Sequence, residues 1–165
     1  MNRMIIMRGL PGSGKSTMAK AIYDQYLLEY IHGDSTCPVR LSTDDIFMAD
    51  GQYLWDFKSL GKAHALNQEK TMVALQKGLS PVIIDNTNTT YSEIKPYMEI
   101  GKYYNCSFSI RESMTDWAFE PEILFKKNSH GVPLDVINKM LQRWEPTHTV
   151  LEKMIKDGFQ VELLD

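Results

Sequence analysis

The chain has 165 residues and carries 18 Lys and Arg against 21 Asp and Glu, a net charge of −3 and a pI near 5.8. That balance excludes a protein that coats nucleic acid through bulk positive charge, a mode that needs many cations neutralising phosphates. With 43% hydrophobic and 24% charged residues the mix is that of a globular domain, and apolar runs such as Met4–Met7 fall far short of the ~18 residues of a membrane helix.

A chain of this length is expected to form one domain over residues 1–165, burying about two thirds of its unfolded surface. It shows no repeat, no low-complexity tract and no basic, apolar and small-residue leader, so a cytoplasmic address without membrane contact is the expectation. Cys37 and Cys106 are too few to staple such a domain and form no C-x-x-C pair, so both are expected as free thiols.

In chain order, "MIIM" at Met4–Met7 reads as a buried strand. A loop follows, then an amphipathic helix over Lys15–Tyr30, with Met18, Ile22 and Leu27 roughly at helical spacing. "VRLS" at Val39–Ser42 predicts a second strand, Lys62–Lys77 a helix stopped by Gly78, and "PVIID" a third strand opened by Pro81. Thr90 and Glu93 have the spacing of a capping box, opening a helix that Pro96 either begins or kinks. "CSFSI" alternates as a half-buried strand does, two helices follow Glu120, and "FQVELL" reads as a last strand. Strands alternating with helices predict an α/β domain with a largely parallel sheet.

The loop between first strand and first helix, Gly9-Leu10-Pro11-Gly12-Ser13-Gly14-Lys15-Ser16, matches G-x-x-x-x-G-K-[ST] at every fixed position. Its glycines let backbone N–H groups wrap phosphate oxygens, and the helix N-terminus adds its positive dipole end. Gly9, Pro11, Gly12, Ser13, Gly14, Lys15, Ser16 and Thr17 are therefore the expected contacts of a nucleoside triphosphate, ATP or GTP, with Lys15 at its β- and γ-phosphates and Ser16 on Mg²⁺. Asp85 ends a buried strand where open α/β sheets bind ligands, the usual place of an aspartate that supports Mg²⁺; the plain alternative is an Asx turn.

Asp44 and Asp45 follow the second strand near the same sheet edge. A kinase needs a carboxylate to orient an acceptor hydroxyl and take its proton, whereas a helix N-cap is the bland use of either residue. Lys126, Lys127 and His130 precede a Gly131 break, and a second helix bears Lys139 and Arg143, a cationic helix-loop-helix able to close over a triphosphate or simply to face solvent. Tyr53, Trp55 and Phe57 alternate in "GQYLWDF", a stacking platform for bases or plain packing.

The order and spacing of "GLPGSGKST", "TDD", "DNTN" and "KKNSHGVPLDVINKM" resemble the polynucleotide 5'-hydroxyl kinases of the bacteriophage type and their cellular relatives, over nearly the whole chain from Met4 to about Glu145. The resemblance implies a P-loop kinase fold, a five-stranded sheet of order 2-3-1-4-5 with a helical lid at about 120–145. It also implies transfer of a γ-phosphate to the 5'-hydroxyl of a polynucleotide or nucleotide. It makes Asp44 the general base and Asp85 a second essential carboxylate beside Lys15, and gives Lys127, His130 and Arg143 to the nucleotide.

Phe47 stands where the phage-type enzymes carry an arginine for an acceptor phosphate, and Lys127 and His130 replace lid arginines. Lysine lacks the guanidinium fork and histidine is largely neutral near pH 7. Lys62 or Arg40 are the candidates to hold that phosphate in its place. A kinase of a nucleoside, sugar or nucleotide-sugar is the second reading, favoured by the acidic pI. A slowly hydrolysing regulatory module is the third, and the adjacent carboxylates argue against it.

Overall fold

The structure is a computed structural model and describes residues 1–49, 52–53 and 59–162, with the backbone alone at 49, 52 and 53. Its sheet has β1 (Asn2–Arg8), β2 (Val39–Leu41), β5 (Val82–Ile84) and β6 (Cys106–Glu112) in the order β2-β5-β1-β6, all parallel. A two-stranded hairpin of β3 (Met48–Ala49) and β4 (Gln52–Tyr53) lies between β2 and β5 in the chain. The helices are α1 (Lys15–Ile31), α2 (Thr43–Phe47), α3 (Leu60–Gln76), α4 (Tyr91–Tyr103), α5 (Pro121–Lys127), α6 (Leu134–Arg143) and α7 (Thr147–Lys156).

This is the α/β P-loop kinase fold, with a parallel sheet flanked by helices. The expected sheet order holds for its first four strands. Of the expected fifth strand, the described residues hold one parallel bridge, Val161 to Phe108, with Phe108 N donating to Gln160 O at 2.8 Å and Glu162 N to Phe108 O at 2.7 Å. Leu163 and Leu164 of "FQVELL" and the aromatics Trp55 and Phe57 lie outside the described residues.

Strands buried on both faces read as continuous apolar runs, and β1 and β5 do so because helices cover both sides. Met4, Ile6, Val82 and Ile84 pack with Ile94, Tyr97 and Met98 of α4 and with Val150 and Met154 of α7. The alternate residues Ile5, Met7 and Ile83 face Ala19, Met18 and Ile22 of α1. A third apolar cluster, Leu10, Leu124 and Ile137 with Trp117, Val132 and Met140, joins the loop after β1 to α5 and α6.

Local departures have local causes. Pro96 falls inside α4, and Glu93 reaches back not to Thr90 but to Thr89, accepting from its backbone N at 2.6 Å and from its hydroxyl. Ser42, not Asp44 or Asp45, caps α2, its Oγ accepting from Asp44 N at 3.2 Å. Both aspartates lie in the first turn, where the helix dipole favours negative charge. Helix α7 has no counterpart in the sequence reading. Cys37 and Cys106 are free thiols, and burial pushes the Cys106 thiol up to about 11.

Candidate active site

The carboxyl ends of the strands meet in one cleft of about 410 Å³, above the central strand β1, which pairs with β5 on one side and β6 on the other. The loop after β1 forms its floor. Gly12 and Gly14 have φ of 82° and 91°, the left-handed region that glycine enters without strain. Gly9 N donates to Thr87 O at 3.2 Å, Ser13 N to Leu10 O at 3.0 Å, and Ser113 Oγ and Thr115 Oγ1 both donate to Ser13 O. Trp117 Nε1 donates to Gly12 O at 3.0 Å, so the loop is held from β5, β6 and the segment before α5 at once. Pro11, Ser16 and Thr17 also line the cleft, while Ser13 Oγ is buried without a hydrogen-bond partner among the described residues.

Behind the loop lies a buried ionic cluster. Lys15 Nζ is bonded to Asp85 Oδ1 and lies 3.3 Å from Ser16 Oγ, while Arg40 Nε donates to Asp85 Oδ2 at 2.7 Å. Asp85 has no solvent exposure. Burial pushes its carboxyl up, but the charges and hydrogen bonds of Lys15 and then Arg40 outweigh this and hold it below the ordinary carboxylate value. Asp85 is thus held as an ionised carboxylate, its two oxygens taken by Lys15 and Arg40. Arg40 also approaches Asp45 at 4.0 Å, so it is engaged with carboxylates and does not stand free for a phosphate; Lys62 is exposed on α3.

Asp44 lines the cleft from α2, half-buried, with His130 Nε2 3.5 Å from its Oδ2. Asp45 is 56% exposed and outside the cleft lining. Phe47 is buried and presents an apolar wall to the same cleft. The α5–α6 segment brings Lys127, His130 and Arg143 to the cleft as well. Lys127 Nζ stacks over the Trp117 ring at 4.3 Å, and Arg143 Nε donates to Thr89 Oγ1 at 2.9 Å and lies 3.6 Å from Glu93 Oε1.

The donors present suit Mg²⁺. A hydroxyl and an ionised carboxylate, Ser16 and Asp85, are hard oxygen ligands, and no cluster of three or more His, Cys, Asp or Glu forms a closed cage among the described residues. A cation here would complete its shell with phosphate oxygens and water, the usual arrangement for Mg²⁺.

A family model described as an AAA domain, AAA_33, matches residues 4–147. The chain belongs to that family. This AAA-domain chain is 40% identical over 142 residues to NEDD4-binding protein 2 of Homo sapiens, a match covering 86% of the chain but 8% of that protein. Among solved structures it is similar to a chain of the Pnkp1/Rnl/Hen1 RNA repair complex, with a TM-score of 0.62 and 22% identity over 92% of this chain and 46% of that one. It is also similar to Kti12 of Chaetomium thermophilum in complex with ADP-AlF3, with a TM-score of 0.58 and 18% identity over 87% of this chain and 80% of that one. At such identities the structural likenesses speak for the fold, a P-loop kinase fold built to hold a nucleotide.

Several residues of the AAA-domain site escape a sequence reading. Arg40 sits in a strand and carries no motif, and Asn86 looks like a turn former. Yet Asn86 Oδ1 accepts from Thr43 N at 2.9 Å and from Thr43 Oγ1 at 3.1 Å, tying α2 to the end of β5. Asn88 has φ of 50°, and its amide donates to Met7 O at 2.7 Å. The signal available for both asparagines was the "DNTN" stretch that follows β5. Arg8, fully buried at the end of β1, was signalled by a charge closing an apolar run.

Proposed function

We propose that this chain is a Mg²⁺-dependent phosphotransferase that moves the γ-phosphate of ATP or GTP to the 5'-hydroxyl of a polynucleotide or nucleotide. The observation that carries the reading is the carboxylate of Asp44, which lines the same cleft as Lys15 and Ser16 of the phosphate loop. A protein that only senses a nucleotide has no use for an acceptor-facing base there. The polynucleotide acceptor is supported by the four-motif pattern and by the likeness to a chain of an RNA repair complex. The reading includes one kinase domain over 1–165, a lid at about 120–145 and a cytoplasmic setting.

In this mechanism Lys15 exchanges Asp85 for the β- and γ-phosphates while Arg40 keeps Asp85 paired. Ser16 and Asp85 would hold Mg²⁺, which when bound neutralises charge on the phosphate oxygens. Asp44 orients the acceptor hydroxyl and takes its proton as the new O–P bond forms, and the bond from the γ-phosphorus to the nucleoside diphosphate breaks. Lys127, His130 and Arg143 neutralise charge from the lid side and limit water. Phe47, a buried apolar wall, favours one second reading, a kinase of an uncharged small metabolite.

The test incubates the protein with γ-labelled ATP or GTP and Mg²⁺ against 5'-hydroxyl RNA and DNA, nucleosides and sugars. Transfer to a 5'-hydroxyl is expected, with Asp44→Asn lowering it by ~10² or more at unchanged nucleotide affinity, because an amide cannot accept the proton. Full activity in that variant would remove Asp44 from the chemistry. Label moving only to sugars would decide for the second reading.

A further inference from the structure

We infer that His64 of α3 is the acceptor-recognition residue of this cleft, presenting a neutral Nε2–H to an uncharged oxygen, a hydroxyl or carbonyl, of the acceptor. The inference rests on the kinase reading above and names the acceptor chemistry of that same site.

The geometry starts at the Tyr97 hydroxyl of α4, which is fully buried and meets three side chains: Asn86 Nδ2 at 3.2 Å, Asn67 Nδ2 at 3.1 Å and His64 Nδ1 at 3.4 Å. The orientation of Asn86 is forced. Its Oδ1 accepts from the backbone N of Thr43, a group that can only donate, so its NH₂ must face Tyr97. Asn67 places its Nδ2 on the phenol oxygen, with its Oδ1 buried and without a hydrogen-bond partner among the described residues. With two amides donating into that oxygen, the single phenol proton is left for His64 Nδ1. The imidazole then carries its own proton on Nε2. Burial lowers the His64 pKa, with Glu93 opposing it, and raises that of Tyr97, so both stay neutral near pH 7 and the tautomer is fixed by the network.

His64 lines the same cleft as Asp44, Phe47 and Leu60, and Nε2 makes no hydrogen bond among the described residues. A lone neutral donor beside two apolar walls does not match a phosphate, whose charge asks for Arg or Lys. It matches an uncharged oxygen close to the hydroxyl that Asp44 deprotonates. The same network fixes base and donor together, because Asn86 holds Thr43, the residue next to Asp44, and meets the hydroxyl that orients His64.

Two measurements on the whole chain test this. Long-range proton–nitrogen NMR should find the His64 ring neutral with the proton on Nε2. A proton on Nδ1 would mean that Asn67 takes the Tyr97 proton through its oxygen, and would overturn the inference whatever the enzyme does. In kinetics with nucleosides and nucleoside 3'-monophosphates as acceptors, His64→Ala should raise the acceptor KM for the nucleoside about tenfold, with kcat and the KM for ATP moving less than about twofold. His64→Gln, whose amide can reach the Nε2 position, should recover most of the loss, as a purely structural role would not. A wild type that is active while the His64→Ala KM is unchanged overturns this inference and leaves the kinase reading standing. A wild type that transfers phosphate to no acceptor overturns both.

Discussion

Asp85 lies between two cations with no solvent exposure, so its protonation state bears on the stability of the fold. Its folded pKa is held below the ordinary value, so the stability it contributes is present above the unfolded pKa near ~3.9 and is lost as pH falls through the folded one. Asp85→Asn leaves Lys15, itself 5% exposed, facing an amide. Breaking such a buried pair costs about 3 to 5 kcal/mol. Thermal melts of the nucleotide-free protein should show the variant well below wild type from pH 5 to 8, and the gap closing below about pH 4. A gap that is constant with pH would mean that the carboxylate is not ionised in the fold. Lys15 stands out in the sequence by its motif and Asp85 by its place at the end of a buried apolar run, with an Asx turn as the other reading of Asp85. Arg40 does not stand out, because nothing in a three-residue strand says which charge it will meet.

At the level of elements, the phosphate loop and the α5–α6 helix pair behave as one unit. A side chain added at Gly12 would meet Leu124 O at 2.4 Å and Asn128 N at 2.9 Å, both backbone atoms at the end of α5 that cannot swing aside. With φ at 82° as well, Gly12→Ala is expected to cost about 1 to 3 kcal/mol and to weaken ATP binding, since the loop and α5 must separate. Melting temperature and a nucleotide titration check both parts; an unchanged affinity would uncouple the helix pair from the loop. Gly33 and Gly78 have positive φ too but open space around them, so alanine there strains only the backbone. The helix pair itself was legible from the "SHGVP" break. Its contact with the loop was not, because Leu10 and Leu124, which meet in the third apolar cluster, are far apart in the chain.

The whole molecule is closed by Arg8. Its guanidinium donates to Asn88 O at 2.9 Å, Thr89 O at 3.0 Å, Glu145 O at 2.7 Å and Thr147 Oγ1 at 2.5 Å, and lies over the Trp144 ring at 4.3 Å. One side chain thus joins the central strand to the segment before α4 and to the link between α6 and α7. Arg8→Met keeps the bulk but strands these acceptors, a loss of about 3 kcal/mol and roughly 10 °C in Tm. Arg8→Lys should recover little, because an ammonium cannot reproduce the planar fork. If Arg8→Lys melts like wild type, the fork is not what closes the fold.

By itself the sequence determined the layers, the strand-loop-helix of the phosphate site and the carboxylate at the end of β5. These depend on local periodicity and on residues a few positions apart, where the chain's own geometry leaves little freedom. Only the tertiary structure decided that Asp44 rather than Asp45 lines the cleft, that Arg40 binds Asp85, and that Val161 bridges Phe108. It also decided that Tyr97 connects Asn86 to His64. Each of these is a contact between residues distant in sequence, set by how helices pack on a twisted sheet, and no local pattern records which side chains such packing will bring together.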